Sequence, residues 1–330
     1  MLWKKIFACS ACITVLVLLF AGGCTEAVSD GPGPEVAAEM ALKFAPDEMA
    51  TYRLTTRAEK SVEFEGPMAK DPQFMGGVTG NRIEMTFTQR IRSVDEEGNG
   101  VAEITIEDLK YSSTQKNKHG LDFDSSREQD SGNPLAKLVG QGYTITITPA
   151  GEILEVSDTA GTLSVVKGLD AASQAAMALL KSSTIKERHG VLHLPAKERS
   201  LLHPSEKWSS MKSYDFKMMG PKAYEKIYTI EQIIDRDSRK VATVGMNAIP
   251  GSQSAGAAEQ DTSALSKMLD EKGTYTGELK FDATTGSIES YREKLELEWI
   301  MVDPGAGGTE AAANAIRMGA MHLYDLQRID

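Results

Sequence analysis

Apolar and polar side chains alternate along much of this chain, and that period of two restricts its fold more than any other feature. Ile83, Met85, Phe87, Gln89 and Ile91 fall on one face of an extended segment, with Glu84, Thr86, Thr88, Arg90 and Arg92 on the other. Tyr143, Ile145 and Ile147 alternate with Thr144, Thr146 and Thr148, and Leu295, Leu297 and Trp299 with Glu296 and Glu298. A helix cannot keep such a pattern on one side, whereas a half-buried strand requires it. Further strands are predicted over residues 101–106, 152–156, 224–234, 241–248, 275–281 and 288–301. Gly-, Asn- and Asp-rich turns at 95–100, 149–151, 235–240 and 282–286 separate them into hairpins. Residues 66–80, 111–132 and 251–262 read as loops.

The hairpins also repeat. Leu135-Ala136-Lys137-Leu138, Tyr143-Thr144 and Ala150-Gly151-Glu152-Ile153 occur in the same order as Leu265-Ser266-Lys267-Met268, Tyr275-Thr276 and Thr285-Gly286-Ser287-Ile288. Each set reads as a short helix, a strand, a Gly turn and a return strand, which points to duplication. Helical signals are few. Asn133-Pro134 reads as an N-cap with Pro at the first helical position, and Asp170 as the cap of a helix through Lys181. Thr309 reads as the cap of a C-terminal helix whose Ala312, Ile316, Gly319, Leu323 and Leu326 follow a four-three spacing. The expected fold is therefore a β-rich α+β one. It has two related antiparallel β units of curved-sheet or half-barrel type, at 40–158 and 205–303, a helical linker at 159–204 and a C-terminal helix at 304–330.

The N-terminus carries a different message. A basic stretch with Lys4 and Lys5 precedes an apolar run over residues 6–20, then Ala21-Gly22-Gly23-Cys24. The run is shorter than the ~20 residues of a membrane span and fits the h-region of a secretory signal. Small residues before a cysteine resemble the lipobox of bacterial lipoproteins, although Ala21 stands where Leu is commonest. The resemblance implies cleavage of residues 1–23 and acylation of the Cys24 thiol. A conventional signal cleavage nearby and a short uncleaved anchor are the alternatives. Residues 24–39 then read as the lipidated cysteine and a Gly- and Pro-containing tether. Thr25 rather than Asp after the cysteine favours the outer membrane, by resemblance to proteobacterial sorting.

Loss of residues 1–23 would remove Lys4 and Lys5 and carry the formal charge from −11 to −13. So acidic a body repels nucleic acid and anionic headgroups, which leaves lipid on Cys24 as the expected link to a membrane. Cys9, Cys12 and Cys24 are the three cysteines. The folded body beyond them has no thiol for catalysis, disulfide formation or Cys-ligated zinc.

The order Asp122-Phe123-Asp124-Ser125, Asn133-Pro134-Leu135, then residues 143–153 (YTITITPAGEI), and a later Trp strand beginning at Ser205-Glu206-Lys207-Trp208, resembles a family of bacterial envelope lipoproteins of uncharacterised activity. The resemblance spans most of residues 40–300 and implies an envelope location and a β-rich body. It assigns no reaction.

The chemistry-bearing residues are sparse. His189, His193 and His203 are the candidate metal ligands, the first two spaced for one helical face, but Gly190 and Pro195 oppose a helix and no HExxH is present. Asp122, Asp124, Glu128 and Asp130 offer oxygen ligands for Ca²⁺ without the glycine or terminal glutamate of an EF-hand loop. Glu296 and Glu298 read as the wet face of a strand. No nucleophile elbow, phosphate loop or dinucleotide fingerprint occurs, so neither catalytic residues nor a cofactor is expected. Met218, Met219, Met246, Met268, Met301, Met318 and Met321, among 15 methionines, suggest an adaptable apolar lining. The expected function is a non-enzymatic, lipid-anchored binding or interaction protein of the envelope, with an envelope protein or a hydrophobic small molecule as partner. The first alternative is a carrier or chaperone for a lipid or other hydrophobic ligand. The second is a metal-dependent hydrolase built on the three histidines.

Overall fold

Alternation of the kind seen at residues 83–92 needs a neighbour for every backbone N–H and C=O, and the chain supplies them by folding into one broad antiparallel sheet. The computed structural model describes residues 36–216, 219–236, 238–251, 270–302 and 315–330. The expected signal segment, Cys24 and most of the expected tether fall in a separate unit, Met1–Glu35, outside the described residues. The body begins with β1 (Ala38–Glu39), followed by long strands β2 (Met49–Glu65), β3 (Gly77–Val94) and β4 (Gly100–Gln115). Then come β5 (Lys118–Asp124), β6 (Gly142–Ile147) and β7 (Ile153–Ser157). Three helices follow: α1 (Thr159–Val166), α2 (Ala171–Leu179) and α3 (Ser182–His189). The second half contains β8 (Leu201–Leu202), β9 (Lys207–Asp215), β10 (Pro221–Arg236), β11 (Arg239–Pro250), β12 (Asp270–Asp282), β13 (Ser287–Val302) and β14 (Ala315–Arg328).

The order across the sheet is β7-β6-β4-β3-β2-β14-β13-β12-β11-β10-β9, with β5 beside β4, and β1 pairs separately with β8. β7 and β9, at the two ends, do not meet, so the sheet is open. Each half is a meander, and the halves join edge to edge where β2 runs antiparallel to β14, from Tyr52 opposite Arg328 to Glu65 opposite Ala315. The expected β-rich α+β class and curved antiparallel architecture are present, with the two β units sharing a single sheet.

The C-terminal helix is corrected. Residues 315–328 form a strand, with β13 on one side and β2 on the other. Met318, Ala320, His322, Tyr324 and Leu326 share its inner face, a period of two that coexists in the sequence with the four-three spacing of Ile316, Gly319 and Leu323. Pairing decides between them, because without β14 two long strands would lose their ladder partners. Thr309 and Ala312, like the Leu265–Met268 repeat, lie outside the described residues. The predicted loop at 111–132 is also partly overturned. β4 and β5 form a hairpin across Lys116 and Asn117, both at positive φ, as a two-residue turn demands. Asn133 does cap a short 3₁₀ helix, accepting from the Leu135 N–H, and Asp170 caps α2 through the Ser173 N–H.

The sheet curls strongly in its second half. Tyr214 on β9 and His322 on β14 are five strands apart in the ladder, about 24 Å along a flat sheet, yet their ring centroids are 5.0 Å apart. The linker fills the resulting trough. Ile185, Val191, Leu192 and Leu194 are buried against the inner face, and Leu194 N–H bonds to Ala150 O. A leading segment laces the two Gly-turn hairpins together. Leu42 donates to Pro149 O and Lys43 to Gly286 O, while Gly151 and Gly286 both sit at positive φ.

Candidate functional site

Two inward positions that should be apolar are charged. On β10 the inner face reads Tyr224, Lys226, Tyr228, Ile230, and on β13 it reads Tyr291, Glu293, Leu295, Leu297, Trp299. Lys226 has no exposure, and Glu293 is 6% exposed. The curl brings β10 across to β13, so Lys226 Nζ lies 3.1 Å from Glu293 Oε2 and donates a second bond, 2.9 Å, to Val191 O in the linker. Tyr275 and Tyr291 donate to the two Glu293 oxygens at 2.9 and 2.6 Å, and the Tyr214 hydroxyl adjoins that of Tyr275 at 3.0 Å. Gly277 stands opposite Glu293 on β12, where a Cβ would meet Arg292 O at 2.7 Å and Glu293 Cβ at 3.2 Å, so a side chain there would crowd the strand that carries Glu293.

An ion pair withdrawn from water survives only when its remaining lone pairs and protons are satisfied. Here two phenols and a carbonyl do that. Burial, followed by the Glu293 charge, drives Tyr275 and Tyr291 far above the ordinary phenol range, so both remain protonated donors. Burial is the largest influence on the Lys226 ammonium and opposes it, but Glu293 and Tyr228 together, through charge and hydrogen bonding, outweigh it and the amine titrates above its usual value.

The end of α3 divides the trough in two. His189 faces a mainly apolar cavity of about 70 Å³, bounded by Phe44, Tyr52, Phe87, Leu192 and Leu326. Arg188 lines a groove of about 210 Å³ with Lys212, Tyr214, Glu293, His322 and Tyr324 on its walls, and Ala58, Ile83 and Val191 as its apolar part. Arg188, 7% exposed, donates to Tyr143 Oη at 3.0 Å and Leu179 O at 2.8 Å, while its own carbonyl accepts from Tyr324. His322 titrates below the ordinary imidazole range, through burial first and the Lys60 and Lys212 charges next.

The structure does not bring the sequence-predicted ligands together. His189 Nε2 lies 2.8 Å from the Tyr143 hydroxyl, and its ring stands edge-on to Phe87. Burial, with Arg188 second, pushes it down to about 3, the state of a neutral packing imidazole. His193 offers its backbone carbonyl to the Trp208 indole, and the His203 N–H bonds to Glu206. Among the described residues no group of His, Cys, Asp or Glu has the grouping a metal ion needs, which removes the basis for a hydrolase on His189, His193 and His203. Three of the four carboxylates of the acidic loop are held in ion pairs: Arg127 pairs with Asp122 and Asp130, and Lys110 on β4 with Asp124. Glu296 and Glu298 lie on the outer face, paired with Lys294 and Arg317. Met219 and Met246 are buried in the core, and neither lines the cavity or the groove. Met218 and Met268, like Cys24, lie outside the described residues.

The network on Glu293 escaped the sequence reading, although its signal was present. Lys226 and Glu293 each interrupt an apolar inner face flanked by tyrosine, and a charge at such a position has to find a partner.

No family model and no curated protein sequence matches the chain. Among solved structures, one described as "Lipid-protein interactions in lipovitellin" is similar at a TM-score of 0.39 and 12% identity, over 87% of this chain. The chain spans only 26% of that structure's length.

Proposed function

We propose that this chain is a lipid-anchored binding protein of a bacterial envelope, tethered through acylated Cys24, that holds an amphipathic small molecule in the trough of its curled sheet. The observation that carries this reading is the groove between α3 and strands β2, β9, β13 and β14. It combines an apolar wall with polar groups at fixed positions, the general form of a small-ligand site. At about 210 Å³ it is smaller than the usual ~300–1,000 Å³ pocket. It therefore suits a head group and the first part of a chain, and the remainder of a larger ligand would lie outside. A carrier that encloses a whole lipid needs one continuous apolar cavity, whereas linker residues divide this interior. Binding at the groove is the form of that reading the geometry supports.

The anchor is tested by labelling cells with radioactive palmitate. The wild-type chain incorporates label and Cys24→Ala does not; equal labelling or equal fractionation of the two would reject it. The ligand is tested by native mass spectrometry of the chain purified from the envelope. A small-molecule adduct that disappears on Tyr324→Trp, which fills the groove, supports the proposal. An adduct-free spectrum joined with crosslinks to an envelope protein would favour the interaction-protein alternative.

A further inference from the structure

Resting on the ligand-groove reading, we infer that the groove takes an anionic head group, a carboxylate or phosphate carried on an apolar chain, with Arg188 and Lys212 as its counter-charges. The argument begins with unmatched charge. Arg188 is more than nine-tenths buried and Lys212 is half-buried, and both line the groove. Among the described residues neither has a carboxylate within ion-pair distance. The acceptors of Arg188, a phenol oxygen and a backbone carbonyl, are neutral, and Lys212 rests beside the face of the Tyr214 ring.

The other charges facing the groove do not alter this balance. Glu293 is already engaged by Lys226, Tyr275 and Tyr291. Arg57 forms two bonds to Glu59. Glu187 is exposed on α3. His322 is neutral at pH 7, since its pKa lies below the ordinary value. What remains is two cations against one solvent-facing carboxylate, in a chain whose formal charge is −11. A buried guanidinium without a counter-ion is costly, and an anion entering the groove would relieve that cost through charge-assisted hydrogen bonds. Ala58, Ile83 and Val191 on the same walls supply the apolar contact for a chain. The volume, about seven waters at ~30 Å³ each, suits a head and a few carbons.

Calorimetric titration of the full chain with octanoate, octyl phosphate, 1-octanol and inorganic phosphate separates the possibilities. The inference expects octanoate or octyl phosphate to bind at least about tenfold more tightly than octanol, as one charge-assisted contact implies. Lys212→Met, at a half-exposed edge-strand position where the fold is little disturbed, should reduce that affinity about tenfold and leave octanol unchanged. Arg188→Lys keeps the charge and should weaken binding less than Arg188→Met, whose folding is checked by circular dichroism. Equal binding of octanoate and octanol would overturn the anion site while the apolar-ligand reading survives. Inorganic phosphate binding as tightly as octyl phosphate would support the anion site and reject an apolar chain. An unchanged octanoate affinity in Lys212→Met, or no binding by any probe, would overturn the inference.

Discussion

Glu293 shows how much can depend on one side chain. Its carboxylate accepts from Lys226, Tyr275 and Tyr291, so removing it leaves an ammonium and two phenols buried without their acceptor. Glu293→Leu is expected to lower unfolding free energy by about 3–5 kcal/mol, the usual result of stranding one member of a buried pair. Lys226→Leu combined with Glu293→Leu should recover part of that loss, because the cation goes too. Urea titration of the two single variants and the double variant gives the coupling; strict additivity would show that the pair does not interact. His189 sets a pH limit of a different kind. Its folded pKa is about 3, whereas an unfolded imidazole titrates near ~6.5. Between those values the unfolded chain binds a proton that the folded chain refuses. Stability is therefore complete above the unfolded value and declines as pH falls through the window, by up to about 1.4 kcal/mol per pH unit for one such group. His193 and His322 are shifted in the same direction. Denaturation midpoints at pH 7.5 and pH 5 should differ less in His189→Gln than in the wild type, and an identical pH slope would contradict this assignment.

At the scale of elements, β14 determines whether the two meanders belong to one sheet. Ala320 sits in its middle, opposite Leu297 on β13 and Lys60 on β2. Proline there has no N–H to give and cannot sit in a central strand. Ala320→Pro should abolish the single cooperative melting transition and send the chain to the insoluble fraction, whereas a native-like melt would mean the seam contributes little. This element also shows where the sequence misleads. Ile316, Gly319, Leu323 and Leu326 satisfy a helical spacing, and Met318, Ala320, His322, Tyr324 and Leu326 satisfy a strand spacing. Only the identity of the neighbours decides, and that is long-range information. The β4–β5 hairpin was hidden for a local reason: Lys116-Asn117 occupies the two positive-φ positions without the Gly that usually marks them. By contrast, the β6–β7 and β12–β13 hairpins were legible, because Gly151 and Gly286 each stand where the turn needs a left-handed residue.

For the molecule as a whole, alternation was enough to give the fold class, since a period of two reports on every strand independently. The site was not legible, because it depends on curvature. Lys226 and Glu293 could be recognised as misplaced charges within their own strands, but no spacing rule places β10 against β13 across a trough. The same curl puts the linker inside, where Arg188 and His189, adjacent in sequence, both reach the hydroxyl of Tyr143.

The seam between β2 and β14 also has a temporal side. Arg317 and Glu65, which hydrogen-bond across it, are 252 residues apart, so the centre of the sheet pairs the earliest long strand with the last. Bringing such distant segments together is slow, because the closure entropy of the loop must be met before contacts offset it. Each meander can zip up early, but it must wait with one raw edge until its counterpart arrives. In refolding followed by pulsed hydrogen exchange, amides of β2 and β14 facing one another should gain protection after those of the β3–β4 and β10–β11 hairpins. Simultaneous protection would mean assembly starts at the middle, and this chain would then have no late, aggregation-exposed intermediate for an escort to guard.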